Sequence, residues 1–211
     1  MTEFIIATNN EKKLIELDRI LNPLGIKAVT AKSKGIDLGD VEENGSTFSE
    51  NAYIKAKAAF DKCGLPVIAD DSGLCVDALD GRPGIYSARY GGHDSPYITK
   101  INMLLEEMKD VPADQRGAHF TCSVCCILPS GETIQVEGYC FGTIAFSPSG
   151  DGGFGYDPVF LVNGKSFASL SSEEKDSLSH RGNALRKLRD TLKVSTDCHC
   201  EGFSPWQSPY V

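Results

Sequence analysis

The chain has 211 residues, 41% hydrophobic and 24% charged, a globular balance that excludes extensive disorder and leaves enough apolar content for a core. Its 29 acidic and 21 basic residues give a net charge of −8, which disfavours a long nucleic acid but allows a small anion held by lysines inside a pocket. No stretch reaches the roughly 20 apolar residues that span a bilayer, and the opening Met1-Thr2-Glu3-Phe4-Ile5-Ile6-Ala7 lacks the basic start of a signal peptide. With no secretion signal, the eight cysteines read as reduced, mostly buried thiols, and the expected compartment is the cytoplasm.

The first 70 residues alternate strand and helix. Phe4 to Ala7 is a short β-rich run that ends in Thr8-Asn9-Asn10. Leu14, Leu17 and Leu21 then recur at helical spacing until Asn22-Pro23 and Gly25 stop the pattern. Ile26 to Val29 is a second strand. Thr47-Phe48-Ser49-Glu50 has the form of a capping box, opening an Ala-rich helix that ends near Cys63-Gly64. Leu65 to Ala69 reads as a buried strand terminated by Asp70-Asp71-Ser72-Gly73. Ile98 to Met108 is helical. Residues 118–128 and 133–141 are two strands joined through Pro129-Ser130-Gly131, an antiparallel hairpin that makes the sheet mixed. Ser171-Ser172-Glu173-Glu174 opens a last helical region carrying Leu178, Leu185, Leu188 and Leu192 on its apolar face. The expected fold is therefore one α/β unit with a mixed central sheet flanked by helices and divided into two lobes, covering 1–193. Residues 194–211, with Cys198-His199-Cys200 and Trp206, form an irregular C-terminal extension.

Four polar clusters are candidates for chemistry, and each has a structural counterpart. Thr8-Asn9-Asn10-Glu11-Lys12-Lys13 joins a strand to a helix N-terminus, where free N–H groups suit phosphate; an ordinary N-cap with solvated lysines uses the same residues. Asp70 and Asp71 follow an apolar strand, and Glu42-Glu43 on the preceding loop adds oxygen ligands, a donor set suited to Mg²⁺ or Mn²⁺ shared with a phosphate rather than to zinc. The alternative is a solvated Asp-Asp-Ser-Gly turn. In residues 147–157, four glycines allow close backbone approach, and Phe154 or Tyr156 offers a stacking surface; a mobile loop with a tucked aromatic fits equally. Lys175 and Ser179-His180-Arg181-Gly182 suit phosphate or keto oxygens, or a charged helix surface. Together the four make a complete nucleotide site: phosphate donors, metal carboxylates, a stacking ring and a base-reading group.

In this order the segments resemble the non-canonical purine nucleoside triphosphate pyrophosphatases, the inosine triphosphatase family. The likeness rests on Ala7-Thr8-Asn9-Asn10 with Lys13; Glu42 to Phe48 with Glu50-Asn51-Ala52 and Lys55; Ile68 to Leu74; Arg82 to Tyr90; Gly153 to Pro158; and Ser179 to Gly182. It implies a cytoplasmic homodimer with its site in a cleft between two lobes, splitting the α–β phosphoanhydride of ITP, dITP or XTP with Mg²⁺, Mn²⁺ being a possible substitute. It involves no nucleic acid polymer and no membrane. By position, Thr8, Asn9, Asn10, Glu11, Lys12 and Lys13 would hold phosphates, assisted by Lys55. Glu42 and Asp71 would bind the metal, Asp71 also serving as general base beside Ser72. Phe154, Gly155, Tyr156, Asp157, Lys175, His180 and Arg181 would contact nucleoside and phosphate. A donor from His180 or Arg181 would pair with a 6-keto oxygen and leave adenine's 6-amino group mismatched, at a cost of about 1–3 kcal/mol. Asn9 stands where the family usually has glycine, and the extension from Val194 has no counterpart in the resemblance.

Overall fold

A computed structural model describes residues 2–197, apart from 9, 40 and 93. Its spine is a seven-stranded sheet of order β2-β1-β3-β4-β5-β6-β7. Strands β1 (Thr2–Ile6), β2 (Ile26–Thr30) and β3 (Val67–Val76) are parallel neighbours. Their connections run through helices α1 (Glu11–Leu21) and α2 (Phe48–Cys63), as parallel pairing requires. From β3 onward the pairing is antiparallel, through β4 (Gly117–Ile127), β5 (Thr133–Ile144), β6 (Phe160–Val162) and the short β7 (Lys165–Ser166). The sheet is mixed, as the hairpin in the sequence required.

Strand β3 belongs to both halves, and it does not stop where the sequence suggested. The polar Asp70-Asp71-Ser72-Gly73 sits in mid-strand, because β4 continues to pair with it from Val67↔Ile127 to Val76↔Ala118. The strand that ends here is β1, whose last pairing is Ile6↔Ile68. Past that point no strand pairs with this edge of β3 among the described residues until the Leu74–Val76 stretch meets the 82–87 segment at the Cys75↔Pro83 bridge, so a cleft opens beside Asp71 to Gly73 in the middle of the sheet.

Three cores hold the layers together. On one face α1 and α5 (His180–Asp197) pack Leu17, Leu21, Leu185 and Leu188 against Ile68, Cys122, Val124 and Cys126. On the opposite face Ala52, Ala56 and Ala59 of α2 lie on Ala69, Cys125 and Ile127, small residues that bring helix and sheet close. The second lobe closes over Leu74, Val76, Phe120, Phe160 and Phe167, with Ile101 and Leu104 from α3 (Tyr97–Glu107) and Met108 beyond it. Cys63, Cys75, Cys122, Cys125, Cys126 and Cys140 are free thiols. Burial raises Cys125 and Cys126 to about 12, so they are inert packing groups.

Local signals resolve in small ways. Thr47 caps α2 by accepting from Glu50 N at 3.1 Å, but the Glu50 carboxylate accepts from Ser46 N at 2.6 Å, one residue short of a reciprocal box. The full capping box occurs at Ser171 and Glu174. The last helical region is two helices: α4 (Ser172–Leu178) stops where Ser179 turns extended, and α5 begins at His180 and continues to Asp197, past the point where the leucine pattern fades. Cys198, His199, Cys200 and Trp206 lie outside the described residues.

Candidate active site

The cleft beside β3 holds a cavity of about 300 Å³. Thr8, Asn10, Lys13, Lys55, Asp71, Ser72, Phe154, Gly155, Tyr156, Asp157, Lys175, His180 and Arg181 all line it, so residues from every predicted cluster meet at one place. Three predicted residues do not. Glu42 is exposed and off the lining, whereas its neighbour Glu43 faces in. Glu11 lines an adjoining cavity of about 600 Å³, and Lys12 a third of about 260 Å³. Asn9 lies outside the described residues.

At the β1–α1 turn, the Asn10 side chain caps the helix by accepting from Lys12 N at 3.0 Å and Lys13 N at 3.2 Å. Two N–H groups expected to face an anion are therefore taken. What the turn brings to the cleft is the Thr8 hydroxyl and the Lys13 ammonium, 3.0 Å from Asp70 Oδ2.

Successive β3 residues point to opposite faces, and the two aspartates have different surroundings. Asp70 is fully enclosed between Lys13 and Arg181, whose Nη2 donates to its Oδ2 at 3.0 Å. Burial alone would raise the Asp70 pKa, but the Lys13 and Arg181 charges overcome it and hold the group well below the usual carboxylate range. Asp71 lies on the α2 side, accepting from Lys55 Nζ at 3.0 Å and from the buried Asn51 amide at 3.3 Å. Its pKa moves up, because burial and the Glu43 charge outweigh Lys55 and Lys13. Lys55 also reaches Glu43 Oε1 at 3.2 Å, so one ammonium bridges two carboxylates. Asp70 is thus a structural counter-ion, and Asp71 a partly compensated acid at the cleft wall.

The second lobe and the α4–α5 region supply rings and cations to the same cleft. Phe154 is half-buried, with Lys175 Nζ 4.6 Å from its ring centre. Tyr156, the alternative stacking residue, is buried edge-on against Tyr97, and its hydroxyl donates to Ser87 O at 3.1 Å, so it supports the wall. Asp157 accepts from Phe154 N at 2.8 Å and from Lys175 Nζ at 2.7 Å, tying the glycine-rich loop to α4. Its pKa rises because burial outweighs the Lys175 charge.

His180 stacks on Phe120, ring centres 4.7 Å apart. Burial, reinforced by the Arg181 and Lys175 charges, holds its pKa well below 6.5, so the imidazole is neutral, and its Nδ1 is buried without a hydrogen-bond partner. Arg181 is enclosed: Nη1 donates to Glu16, and Nη2 donates to Asp70 and to Ser72 Oγ at 3.0 Å. Its guanidinium is largely occupied, whereas His180 Nδ1, like Asp70 Oδ1 and Glu16 Oε1, is buried with no hydrogen-bond partner among the described residues.

Two participants are absent from the sequence-based set. Glu16 is buried on α1 with Leu17, Ile20 and Leu21, where it pairs with Arg181 and lies 3.6 Å from Lys175 Nζ. The signal was an acidic residue in register with Ile20 on an apolar face. The Arg82–Tyr90 segment had no role assigned, yet Ile85, Ser87, Ala88 and Arg89 line the cleft.

Comparison with known proteins agrees with this geometry. The Ham1 family pattern matches residues 4–191. A dITP/XTP pyrophosphatase from Halalkalibacterium halodurans is 48% identical over 190 residues, covering 89% of this chain and 97% of that protein. One of the same name from Shigella flexneri is 46% identical over 197 residues, covering 92% and 99%. The solved Ham1 protein of Staphylococcus aureus superposes with a TM-score of 0.81 at 40% identity, covering 92% of this chain and all of that one. With the family pattern matching residues 4–191 and the fold shared over 92% of the chain, the chain belongs to the Ham1 family.

Proposed function

We propose that this chain, a nucleoside triphosphate pyrophosphatase, hydrolyses the non-canonical purine nucleotides ITP, dITP and XTP to the monophosphate and pyrophosphate. It does so with Mg²⁺, or Mn²⁺ in its place, as a cytoplasmic homodimer. The observation that carries the reading is what one cleft gathers: the cations Lys13 and Lys55 with Asp71, together with the Phe154 ring and His180. A triphosphate needs the first set and a purine the second. The names of the relatives agree with it. Among the described residues no helix is long and apolar enough to cross a membrane.

Among the described residues no cluster of three or more His, Cys, Asp or Glu side chains is placed to hold a metal. Mg²⁺ does not need one, since it is commonly held by one or two carboxylates together with substrate phosphates and water. Asp71 and Glu43 fit that role: they already share one cation, the Lys55 ammonium, at 3.0 and 3.2 Å. They would hold the ion, with Glu43 replacing Glu42 of the sequence-based expectation. When bound, the ion supplies charge neutralisation at the phosphates and at the departing pyrophosphate.

The chain's own groups account for the rest. Lys13 and Lys55 bring positive charge to the phosphates. Asp71, fixed through Asn51 and Lys55, orients the attacking water and accepts its proton on a carboxylate oxygen. Phe154 stacks on the base. His180 donates from its neutral ring to a 6-keto oxygen, a bond that a 6-amino group cannot accept; that difference amounts to about 1–3 kcal/mol. The test is kcat/KM for ITP, dITP, XTP, GTP and ATP with Mg²⁺. The first three are expected to exceed ATP by at least about tenfold. Equal rates on ATP and ITP would refute the assignment of the base end.

A further inference from the structure

Five cations line the cleft, and four are paired. Lys13 meets Asp70, Lys55 meets Asp71 and Glu43, Lys175 meets Asp157, and Arg181 meets Asp70 and Glu16. Among the described residues, the fifth, Arg89, has no carboxylate within ion-pair distance. Its guanidinium makes one long hydrogen bond, Nη2 to Glu43 O at 3.4 Å, and lies 5.0 Å from the centre of the Tyr86 ring.

The backbone that carries Arg89 is held far more firmly than its side chain. Ser87 Oγ accepts from Leu74 N at 2.9 Å and donates to Gly84 O at 2.6 Å, fastening the segment to β3. Tyr156 holds the Ser87 carbonyl, and the buried Lys100 donates to the Ala88 carbonyl. A Cβ on residue 73 would come within 2.6 Å of Ser87 Oγ, so β3 has glycine where the segment crosses it. The result is a fixed platform from which one weakly held guanidinium enters the cleft. Its place along the cleft is set by contact: Arg89 touches Glu43, Glu43 pairs with Lys55, and Lys55 pairs with Asp71. Arg89 therefore stands at the phosphate end.

We propose that Arg89 binds the terminal phosphates of the triphosphate and, after cleavage, the pyrophosphate product; this rests on the pyrophosphatase reading above. The other four cations each share their charge with a protein carboxylate, so among the described residues Arg89 is the cleft cation whose charge is fully available to added phosphates. A guanidinium meets two phosphate oxygens with parallel N–H groups, a stronger contact than the single 3.4 Å carbonyl bond it gives up. The monophosphate product contains neither terminal phosphate, so its binding is independent of Arg89.

The experiment is calorimetric titration of pyrophosphate, and separately of IMP, into wild type, Arg89→Gln and Arg89→Lys in Mg²⁺ buffer, with KM and kcat for ITP on each. Loss of the charged contact weakens pyrophosphate binding about 10- to 100-fold and raises KM correspondingly. IMP affinity stays within about twofold, and Arg89→Lys recovers part of the loss by restoring the charge. Unchanged pyrophosphate affinity in Arg89→Gln overturns the proposal. Equal weakening of pyrophosphate and IMP also overturns it, because that pattern belongs to a residue that only holds the loop. If wild type neither cleaves ITP nor binds pyrophosphate, the pyrophosphatase reading itself is wrong and this proposal falls with it, an outcome visible before any variant is made.

Discussion

Gly138 on β5 sits beneath the start of α5, and a methyl group placed there tests whether that contact positions the base end of the cleft. A Cβ at residue 138 would lie 2.9 Å from Ala184 Cα and closer still to Ala184 N and His180 O. All three are backbone atoms, so no side-chain rotation relieves the contact and α5 must back away from the sheet. Overpacking of this kind costs about 1–3 kcal/mol, and rigid backbone on the receiving side puts Gly138→Ala at about 3. At about 2–4 °C per kcal/mol for a domain of this size, Tm should fall by about 6–12 °C. The displaced atoms include His180 and its neighbour Arg181. A misplacement of about 1 Å can cost about 100-fold in rate, so kcat/KM for ITP should fall well beyond what partial unfolding explains. Calorimetric Tm, with kinetics measured at least about 20 °C below the variant's own Tm, separates the two effects. A Tm within about 2 °C of wild type with unchanged kcat/KM would show that β5 and α5 are not packed as described, and the positioning of His180 and Arg181 by this contact would be refuted.

Two further outcomes concern single side chains. Asp71→Asn should lower kcat by at least about 100-fold, the scale of a lost base and anionic ligand, while Tm holds or rises. The carboxylate it removes is destabilised by burial, and Lys55 keeps Glu43; near-normal turnover would remove Asp71 from the mechanism. His180→Asn addresses pH. The folded chain holds His180 neutral well below 6.5 while the unfolded chain protonates it near that value, so the unfolded state takes up more protons as pH falls through 6.5. Stability present above that pH is lost below it, about 1.4 kcal/mol by pH 5.5. The fall in Tm between pH 7.5 and 5.5 should therefore be about 3–6 °C larger in wild type than in His180→Asn. Parallel Tm–pH curves would show the imidazole to be solvated.

Much of this molecule is legible in its sequence where the signal is local. The Asn22-Pro23 stop, the Thr47 cap and the Pro129-Ser130-Gly131 turn act on their own neighbours, and the structure has them in place. What was illegible depends on pairing. Asp70 to Gly73 looks like a strand end because polar residues and glycine end most strands, but here ten consecutive residue pairs with β4 carry the strand through. The true boundary, the end of β1, is written in another segment altogether. In Glu42-Glu43 the residue type was clear, but which carboxylate faces Lys55 depends on how the loop lies against α2. Glu16 was hidden by its chemistry, since an acid on a helix reads as solvated until Arg181, 165 positions along the chain, comes to meet it. The split at Ser179 was similarly masked, because the leucine spacing of α5 runs smoothly into α4.

Everything proposed for the phosphate end depends on which bond breaks, and hydrolysis of ITP in ¹⁸O-labelled water with Mg²⁺, read by mass spectrometry of both products, decides it. Water oriented by Asp71 onto the α-phosphorus places the label in IMP and leaves the pyrophosphate unlabelled. Label in pyrophosphate would move the attack to the β-phosphorus, and IDP with orthophosphate would place cleavage at the other anhydride; either result would contradict the roles of Asp71 and the lysines around it.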